Sequence, residues 1–216
     1  GGAGAERIFT FTTSAVQDVF LTTHASAFDT VLYVRSCTCS GGEAACSDDA
    51  DGRTTSMVHL RDLPAGTYNV FLDAKTAGGG GAYQLDAYFS NPGPTGDRCG
   101  DPILLTAAGA TGNNCAFEHD YTPGCEFGSS GFGSEVVYYL VVTAGATITI
   151  DTCASQATCP TPACVDTAVY IRSVCSGAGT QVVCNDDGCG FNPPGPNGPM
   201  QSTVTTALTP GVYYVF

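Results

Sequence analysis

The sequence predicts an all-β protein made of two jelly-roll-like β-sandwich modules in tandem, stapled by disulfides. The stretch FDTVLYVRSCTCSGGEAACSDDADG, which closes with LPAGTYNVF, recurs as VDTAVYIRSVCSGAGTQVVCNDDGCG, which closes with LTPGVYYVF. Because each copy of an internal repeat is one structural unit, two modules are expected. Short runs rich in Val, Thr and Tyr alternate with Gly, Pro, Asp and Ser, and the apolar residues show no helical periodicity.

The predicted strands follow these runs along the chain. In the first module they are expected at residues 7–12, 17–23, 29–35, 56–60, 67–73 and 82–89. In the second module they are expected at residues 103–106, 135–143, 147–152, 167–172, 203–208 and 212–216. Residues 31–34 are apolar throughout, so the strand that contains them is predicted to be central and covered on both faces.

The best domain boundary is the stretch NPGPTGD at residues 91–97, because its prolines and glycines interrupt any strand ladder. The modules are therefore placed at residues 1–90 and 99–216, with residues 91–98 as a linker. When the copies are aligned, the first lacks a counterpart of residues 99–133, and the second lacks a counterpart of residues 72–89. The first module is thus expected to lack N-terminal strands and the second to lack its last strands.

Three interpretations of these missing strands stay open. The chain is a piece of a longer tandem array, neighbouring subunits supply the strands by β-strand addition, or the modules are smaller than the alignment suggests. Residues 1–11 loosely resemble residues 78–89, the element that the second copy lacks. They are therefore a candidate donor strand for the second module of a neighbouring subunit.

Composition limits the compartment and the partners. Twelve cysteines against two methionines and no tryptophan indicate closed disulfides, and hence an extracellular or cell-surface protein. A net charge of -13 would repel nucleic acid and anionic membrane surfaces. Membrane insertion is not expected, because no apolar run approaches the roughly 20 residues of a spanning helix.

The cysteine spacing predicts a disulfide across a hairpin in each copy. In the second copy, Cys175 and Cys184 flank the turn SGAGTQVV. In the first copy, Cys46 has the same relation to either Cys37 or Cys39, and the alignment does not choose between these two partners.

The remaining cysteines are less constrained. Cys99 and Cys115 flank an analogous turn and form a further predicted pair, whereas Cys125 has no partner assigned from the sequence. Zinc is an alternative for part of this set, but it is disfavoured because no CxxC pair is present. Its candidate ligands are Cys153, Cys159, Cys164 and Cys189.

The best functional signal is an acidic group that recurs in both copies. Each copy places one aspartate at the head of its central strand and an acidic pair just past a half-cystine. If the hairpin between them folds back, three carboxylates converge, and their repulsion favours a bound cation. Hard oxygen ligands in a loop suit calcium. The candidate ligands are Asp29, Asp48 and Asp49, then Asp166, Asp186 and Asp187, with Asn185, Asp51 and Glu43 as further donors.

The sequence gives little support for a catalytic site. The histidines His24, His59 and His119 are not repeated between the copies, and GSSGFG at residues 128–133 lacks the spacing of a nucleophile elbow. Adjacent carboxylates such as Asp186 and Asp187 rarely face each other across a cleft, as a hydrolase acid and base must. No enzymatic activity is therefore expected.

Several of these motifs together resemble a known family. DTVLYVRS before a half-cystine, CSDD or CNDD, LPAGTYNVFLD and GGGAYQLDAYF resemble the bacterial pre-peptidase C-terminal domain, particularly its cysteine-bearing repeats in large secreted proteins. CGDPILLT with EVVYYLVV is similar to the opening strands of that module. The resemblance covers most of residues 6–90 and 99–216, whereas residues 191–200 form an insertion that the first copy lacks.

The resemblance implies a jelly-roll-like sandwich, an extracellular non-catalytic role, frequent calcium binding and, in some members, adhesion to collagen or polysaccharide. By position, the calcium candidates are again the two groups of three aspartates. The expected function is thus an extracellular structural or adhesive repeat protein, stabilised by calcium, in a tandem array or as a filament subunit that assembles by β-strand exchange. Its partners would be copies of itself, neighbouring repeats, a polysaccharide or an extracellular protein. The alternative is a carbohydrate- or protein-binding accessory module of a secreted hydrolase.

Overall fold

The computed structural model describes residues 2–125, 133–155, 166–189 and 201–216. The regular elements of this part are β-strands and two short 3-10 turns, which confirms the all-β class. The chain divides into two compact units: unit 1 comprises Gly1–Gly93 with Cys99–Asp101, and unit 2 comprises Pro94–Arg98 with Pro102–Phe216. Each copy of the repeat lies in one unit. The insertion at residues 191–200 lies outside the described residues.

Unit 1 contains two antiparallel sheets. Its strands are β1 (Glu6–Thr13), β2 (Gln17–Thr22), β3 (Thr30–Ser36), β4 (Glu43–Asp48), β5 (Met57–Leu63), β6 (Gly66–Ala74) and β7 (Asp86–Ser90). The first sheet has the order β1-β6-β3-β4, and the second has the order β5-β2-β7.

The described residues of unit 2 repeat this plan, with counterparts of β1 to β6 and one further strand, β8. Its strands are β8 (Ile103–Leu104), β9 (Tyr138–Val142), β10 (Ala146–Asp151), β11 (Ala168–Arg172), β12 (Gln181–Asp186), β13 (Thr203–Leu208) and β14 (Gly211–Val215). The larger sheet has the order β12-β11-β14-β9-β8, and the smaller sheet pairs β10 with β13. Strand β8 runs parallel to β9, whereas the other pairs are antiparallel.

The strands of both units pair in the same nested order. In unit 1, β3 pairs with β4, β2 with β5, and β1 with β6. In unit 2, β11 pairs with β12, β10 with β13, and β9 with β14. A long hairpin folded into two sheets has this nested order, which is the order expected of the predicted jelly roll.

The core of unit 1 is formed by residues from both of its sheets. Leu21 of β2 belongs to the same buried cluster as Leu32 and Val34 of β3 and Val70 of β6. Burial of each such side chain contributes roughly 1.5–3 kcal/mol before the ordering entropy is subtracted. The prediction for residues 31–34 is confirmed, because β3 lies between β6 and β4 and these four residues are buried.

An aromatic stack on one strand pair also repeats. The rings of Tyr33 and Phe71 stack with centroids 4.6 Å apart, and those of Tyr170 and Phe216 stack at 4.7 Å. Arg172 lies 5.0 Å from both ring centroids in unit 2, as Arg35 lies 5.3 and 5.4 Å from the rings in unit 1. Both tyrosines are buried core residues.

The strands β4 and β12 are not predicted by the sequence. Their sequences, EAACSD and QVVCND, mix small, polar and acidic residues of the kind that favour turns. They become strands because the strongly β-forming β3 and β11 pair with them, so tertiary context overrides a weak local preference.

Each unit has one strand without a counterpart in the other. In unit 1, β7 lies beside β2, whereas β10 of unit 2 pairs with β13 alone among the described strands. In unit 2, β8 lies beside β9, whereas in the described part of the chain β1 pairs only with β6. Residues 6–13 form β1 within their own unit, so the candidate donor strand at residues 1–11 is already engaged there.

A cluster of buried hydroxyl groups joins the sheets of unit 1 at one end. The Oγ1 atoms of Thr23, just after β2, and Thr30, the first residue of β3, are 2.7 Å apart. Ser56, just before β5, donates from its Oγ to the Thr30 carbonyl at 2.6 Å, and its N–H donates to Thr23 Oγ1 at 2.9 Å. All three residues are fully buried. The same cluster recurs in unit 2.

In unit 2 the hydroxyl cluster consists of Thr152, Thr167 and Ser202. The two threonine Oγ1 atoms are 2.6 Å apart, the Ser202 N–H donates to Thr152 Oγ1 at 3.1 Å, and Ser202 Oγ donates to the Thr167 carbonyl. Ser202 is fully buried, whereas the two threonines are half-buried. Buried polar groups are costly unless they are paired, so these contacts limit how the strand ends can shift.

The hydroxyl cluster predicts a matched pair of mutational effects. Thr23→Val keeps the side-chain shape but leaves the buried Ser56 N–H without its acceptor, so we expect unit 1 to lose about 1–3 kcal/mol of unfolding free energy. Thr12→Val removes an exposed hydroxyl that contacts Thr67 Oγ1 at 3.1 Å, and should change stability by less than about 0.5 kcal/mol. Urea unfolding of both variants measures the difference, and equal effects would contradict the role assigned to the cluster.

Candidate metal centres

The three acidic residues singled out in the first copy come together at one end of unit 1. Asp29 directly precedes β3, Asp48 ends β4, and Asp49 follows it. One carboxylate oxygen from each residue lies within 4.8 Å of the others. Asp29 is half-buried, and the other two are exposed.

The second copy assembles the same group in unit 2. Asp166 lies two residues before β11, Asp186 ends β12, and Asp187 follows it. Their carboxylate oxygens also lie within 4.8 Å of one another. The convergence of both groups therefore follows the predicted positions residue for residue.

Strand register and backbone conformation explain the convergence. Asp48 lies opposite Val31 in the β3–β4 pair, and Asp186 lies opposite Ala168 in the β11–β12 pair, so each returns to the head of the central strand. Asp49 and Asp187 both have left-handed backbone conformations, with φ of 56° and 66°. Aspartate tolerates this region better than most residues, and the turn brings the second carboxylate back toward the first.

A lysine enters the group in unit 1. The Lys75 ammonium lies 2.5 Å from Asp49 Oδ2, 3.3 Å from Asp48 Oδ1 and 4.0 Å from Asp29 Oδ2. The hydrogen bond with Asp49, followed by that with Asp48, raises the pKa of Lys75 above its ordinary value. Lys75 thus acts as an internal counter-cation, a partner that the repeat alignment does not reveal because it follows β6.

The electrostatics of the group in unit 2 differ. Burial, followed by repulsion from Asp187, raises the pKa of Asp166 above 3.8, while a hydrogen bond from the Thr167 backbone opposes the shift. A divalent cation among these carboxylates would reverse this effect, because it favours the charged form.

The donor set fits a hard cation. The Asp29 Oδ1 atom is buried and accepts no hydrogen bond from the described residues, as expected for an oxygen kept for a ligand. Among the further candidate ligands, Asn185 already accepts a hydrogen bond on its Oδ1 atom from the Thr203 N–H, at 3.1 Å. Asp51 and Glu43 do not belong to the group in unit 1.

The predicted hairpin disulfides are wrong. Cys184 bonds to Cys125 rather than to Cys175, although Cys175 is disulfide-bonded as well. In unit 1, Cys46, Cys37 and Cys39 are free thiols. The physical reason is that Cys184 finds its partner in the segment before β9, which has no counterpart in the first copy.

The zinc alternative also fails among the described cysteines. Cys153 and Cys189 form a disulfide with each other, so neither supplies a thiolate ligand. Cys159 and Cys164 lie outside the described residues. Cys99 and Cys115 are both disulfide-bonded, and their mutual pairing stays a prediction.

The three histidines each lie beside one carboxylate. His59 Nε2 is 2.6 Å from Asp101 Oδ1, His24 Nδ1 is 3.4 Å from Asp86, and His119 Nδ1 is 3.2 Å from Glu135. Burial, only partly offset by Asp86, lowers the pKa of His24. These pairs occupy unrelated positions of the two units, so they do not form a repeated site.

No family model matches the chain, and no curated protein matches its sequence. The similarity to the pre-peptidase C-terminal domain therefore rests on the motifs quoted above. Within the described part of the chain, no helical segment has the length and apolar character needed to cross a membrane.

The geometry of the group in unit 2 predicts a measurable titration. In the presence of a chelator, we expect carboxyl NMR to place the pKa of Asp166 above 3.8, and Asp187→Asn to lower it by removing the nearby charge. Because the folded pKa is raised, this contribution to stability is present at low pH and is lost as the pH rises through the interval between the unfolded and folded values. An unchanged Asp166 titration in Asp187→Asn would contradict the assigned repulsion.

Proposed function

We propose that this chain is an extracellular structural or adhesive repeat protein in which each β-sandwich module holds one calcium ion. The observation that carries the proposal is the recurrence of three converging carboxylates at the same end of both units. Exposed acidic pairs are common in loops, but turn formation alone does not explain two triads held by the same strand register.

The chemistry of the triad favours calcium over other ions. Three carboxylates supply hard oxygen ligands, and calcium accepts roughly six to eight oxygens in irregular geometry, with carbonyls and water completing the set. Magnesium demands near-ideal octahedral geometry and retains its water, so it suits an open loop site less well. The Asp29 Oδ1 atom is buried and accepts no hydrogen bond from the described residues, so it offers calcium an oxygen ligand that is already desolvated.

An extracellular location agrees with the cysteine chemistry. Unit 2 contains the Cys125–Cys184 and Cys153–Cys189 disulfides, which persist in oxidising compartments. The sequence has 20 acidic residues against seven basic residues, which favours interaction with cations over interaction with nucleic acid.

Within the described residues, β1 pairs only with β6 and β10 only with β13. An edge of this kind accepts a strand from a further module, of the same protein or of a neighbouring one, so assembly by strand addition is the mode of association that we propose. Filaments or tandem arrays formed in this way need no catalytic residue. The alternative role, as an accessory module that binds polysaccharide or an extracellular protein such as collagen, would instead require specific binding by an isolated monomer in glycan or collagen pull-down.

The proposal predicts that calcium stabilises the protein. At a free calcium concentration 100 times the dissociation constant, each site should add about 2.7 kcal/mol to the unfolding free energy, so the melting temperature should fall by several degrees in excess EDTA. The double variant Asp29→Asn with Asp166→Asn should lose this difference. Asp62→Asn, a matched change outside both triads, should keep it. Equal melting temperatures of the unmodified protein in calcium and in EDTA would remove calcium from the proposal.

The lysine in unit 1 predicts that calcium competes with an ammonium group at the unit 1 site. Calcium must displace the Lys75 ammonium, so Lys75→Ala should strengthen binding at the unit 1 site roughly threefold to tenfold. Calorimetric titration in an Asp166→Asn background isolates this site. Lys75→Arg keeps the charge and serves as the control. If Lys75→Ala and Lys75→Arg bind calcium equally, the lysine does not compete for the site.

A further inference from the structure

We propose that the Cys153–Cys189 disulfide holds the calcium site of unit 2 in its binding conformation, so that reduction of this bond weakens that site, whereas the site of unit 1 is built without it. This control rests on the calcium binding proposed above, and it acts on one of the two sites. Asp187 lies two residues before Cys189, so the bond closes the chain directly after the acidic pair.

The disulfide joins the acidic pair to the hydroxyl cluster of unit 2. Cys153 directly follows Thr152, and Thr167 directly follows Asp166. The Oγ1 atoms of the two threonines are 2.6 Å apart, and the Cα atoms of Cys153 and Cys189 are 5.6 Å apart. One hydrogen bond and one covalent bond therefore connect the residue beside the first carboxylate with the end of the acidic pair.

The other end of the same segment is fixed as well. Cys184, two residues before Asp186, forms a disulfide with Cys125 and lies opposite Tyr170 of β11. The stretch at residues 184–189, which contains both members of the acidic pair, thus has a half-cystine at each end. A stretch with both ends fixed loses less conformational entropy when it binds an ion.

The turn between the two half-cystines depends on this closure. Asp187 has a left-handed φ of 66°, a region that a free chain seldom populates. Gly188 lies so close to Asn185 that a Cβ atom at Gly188 would overlap the Asn185 Oδ1 atom. Asp166 and Asp187 are both exposed, and their like charges repel each other in the absence of a cation. Packing on these two side chains is therefore slight, which leaves the closed backbone to hold the carboxylates together.

Unit 1 has no cysteine at either position. The hydroxyl clusters and the acidic triads align the two units residue by residue. In this alignment His24 stands at the position of Cys153, and Asp51 stands at that of Cys189. The Lys75 ammonium instead lies among the carboxylates of unit 1. Reduction therefore breaks no equivalent bond beside the triad of unit 1.

The Cys153–Cys189 bond is accessible to a dithiol reductant on one side. Cys153 is exposed, whereas Cys189 is buried. One thiolate of the dithiol attacks the Cys153 sulfur and forms a mixed disulfide, and Cys189 leaves as a thiolate that takes up a proton. The second thiol of the reductant then attacks its own mixed disulfide and releases Cys153 as a thiol. One dithiol thus becomes a cyclic disulfide for each protein disulfide that is reduced.

Calorimetric titration of the full chain with calcium tests the effect on each site. Asp29→Asn leaves the unit 2 site intact, and Asp166→Asn leaves the unit 1 site intact. In the Asp29→Asn chain, Cys153→Ser with Cys189→Ser should raise the Kd roughly fivefold or more, because ordering the backbone of one residue weakens binding by about that factor. In the Asp166→Asn chain, the same two substitutions should leave the Kd unchanged.

A matched control replaces two cysteines that carry no disulfide. Cys37→Ser with Cys39→Ser should leave the Kd of the unit 2 site unchanged. Dithiothreitol should raise the Kd of the Asp29→Asn chain, and reoxidation with glutathione disulfide should restore it. Amide exchange of β11 and β13 in EDTA reports whether unit 2 stays folded in each variant.

Each of the other results overturns the inference. An equal Kd of the unit 2 site with and without the Cys153–Cys189 bond would do so while the calcium proposal stands. An equal loss at the unit 1 site, or an equal loss with the control pair, would mean a general effect of cysteine removal. Loss of amide protection throughout β11 and β13 would mean that the bond maintains the fold rather than the site. If none of the chains binds calcium, the proposed function fails as well.

Discussion

The buried hydroxyl groups of Thr23, Thr30 and Ser56 determine where the two sheets of unit 1 meet. These polar side chains have no access to water, so each must find a partner inside the protein, and the strand ends that carry them have little freedom to shift. Asp29 precedes Thr30, so the hydroxyl cluster also fixes the head of β3 from which the first carboxylate projects. The acidic triad thus depends on residues outside the group of carboxylates, and in unit 2 the hydroxyl cluster again includes the residue after the first aspartate, Thr167 after Asp166.

The sequence predicts much of this arrangement because the two copies of the repeat mark the same structural positions independently. It identifies the central strand β3 and the positions of all six aspartates. Other features depend on partners that lie outside the repeated stretch. Cys125 belongs to a segment with no counterpart in the first copy, so alignment did not reveal that it pairs with Cys184. Lys75 follows β6, outside the stretch in which the two copies align, so the alignment does not identify it. Its ammonium nevertheless lies within hydrogen-bond distance of the triad.

The two units reach one topology with different supports. In unit 2, Tyr121 packs against Phe216 at 5.1 Å, the Thr122 carbonyl accepts from Arg172, and a disulfide holds Cys184 on the same side of the sheet. In unit 1, the Tyr33 hydroxyl instead donates to Glu6 at 2.7 Å, and Cys46 carries no disulfide. Two disulfides therefore constrain the strands of unit 2 in the unfolded state, whereas the β3–β4 hairpin of unit 1, with free thiols at Cys37, Cys39 and Cys46, relies on packing and hydrogen bonds.

The nested strand order has a consequence for the route by which each unit folds. The β3–β4 hairpin joins residues that are close in sequence, whereas the β1–β6 pair joins residues about 60 positions apart, and such distant pairings carry a larger loop-closure entropy. Strand pairing that starts at the innermost β3–β4 hairpin and proceeds outward therefore gives the lowest barrier to folding. The carboxylates of Asp29, Asp48 and Asp49 flank this innermost hairpin, so an ion bound there would stabilise a nucleus before the outer strands close. A lower calcium concentration would then slow folding and would also decrease the stability of the folded protein.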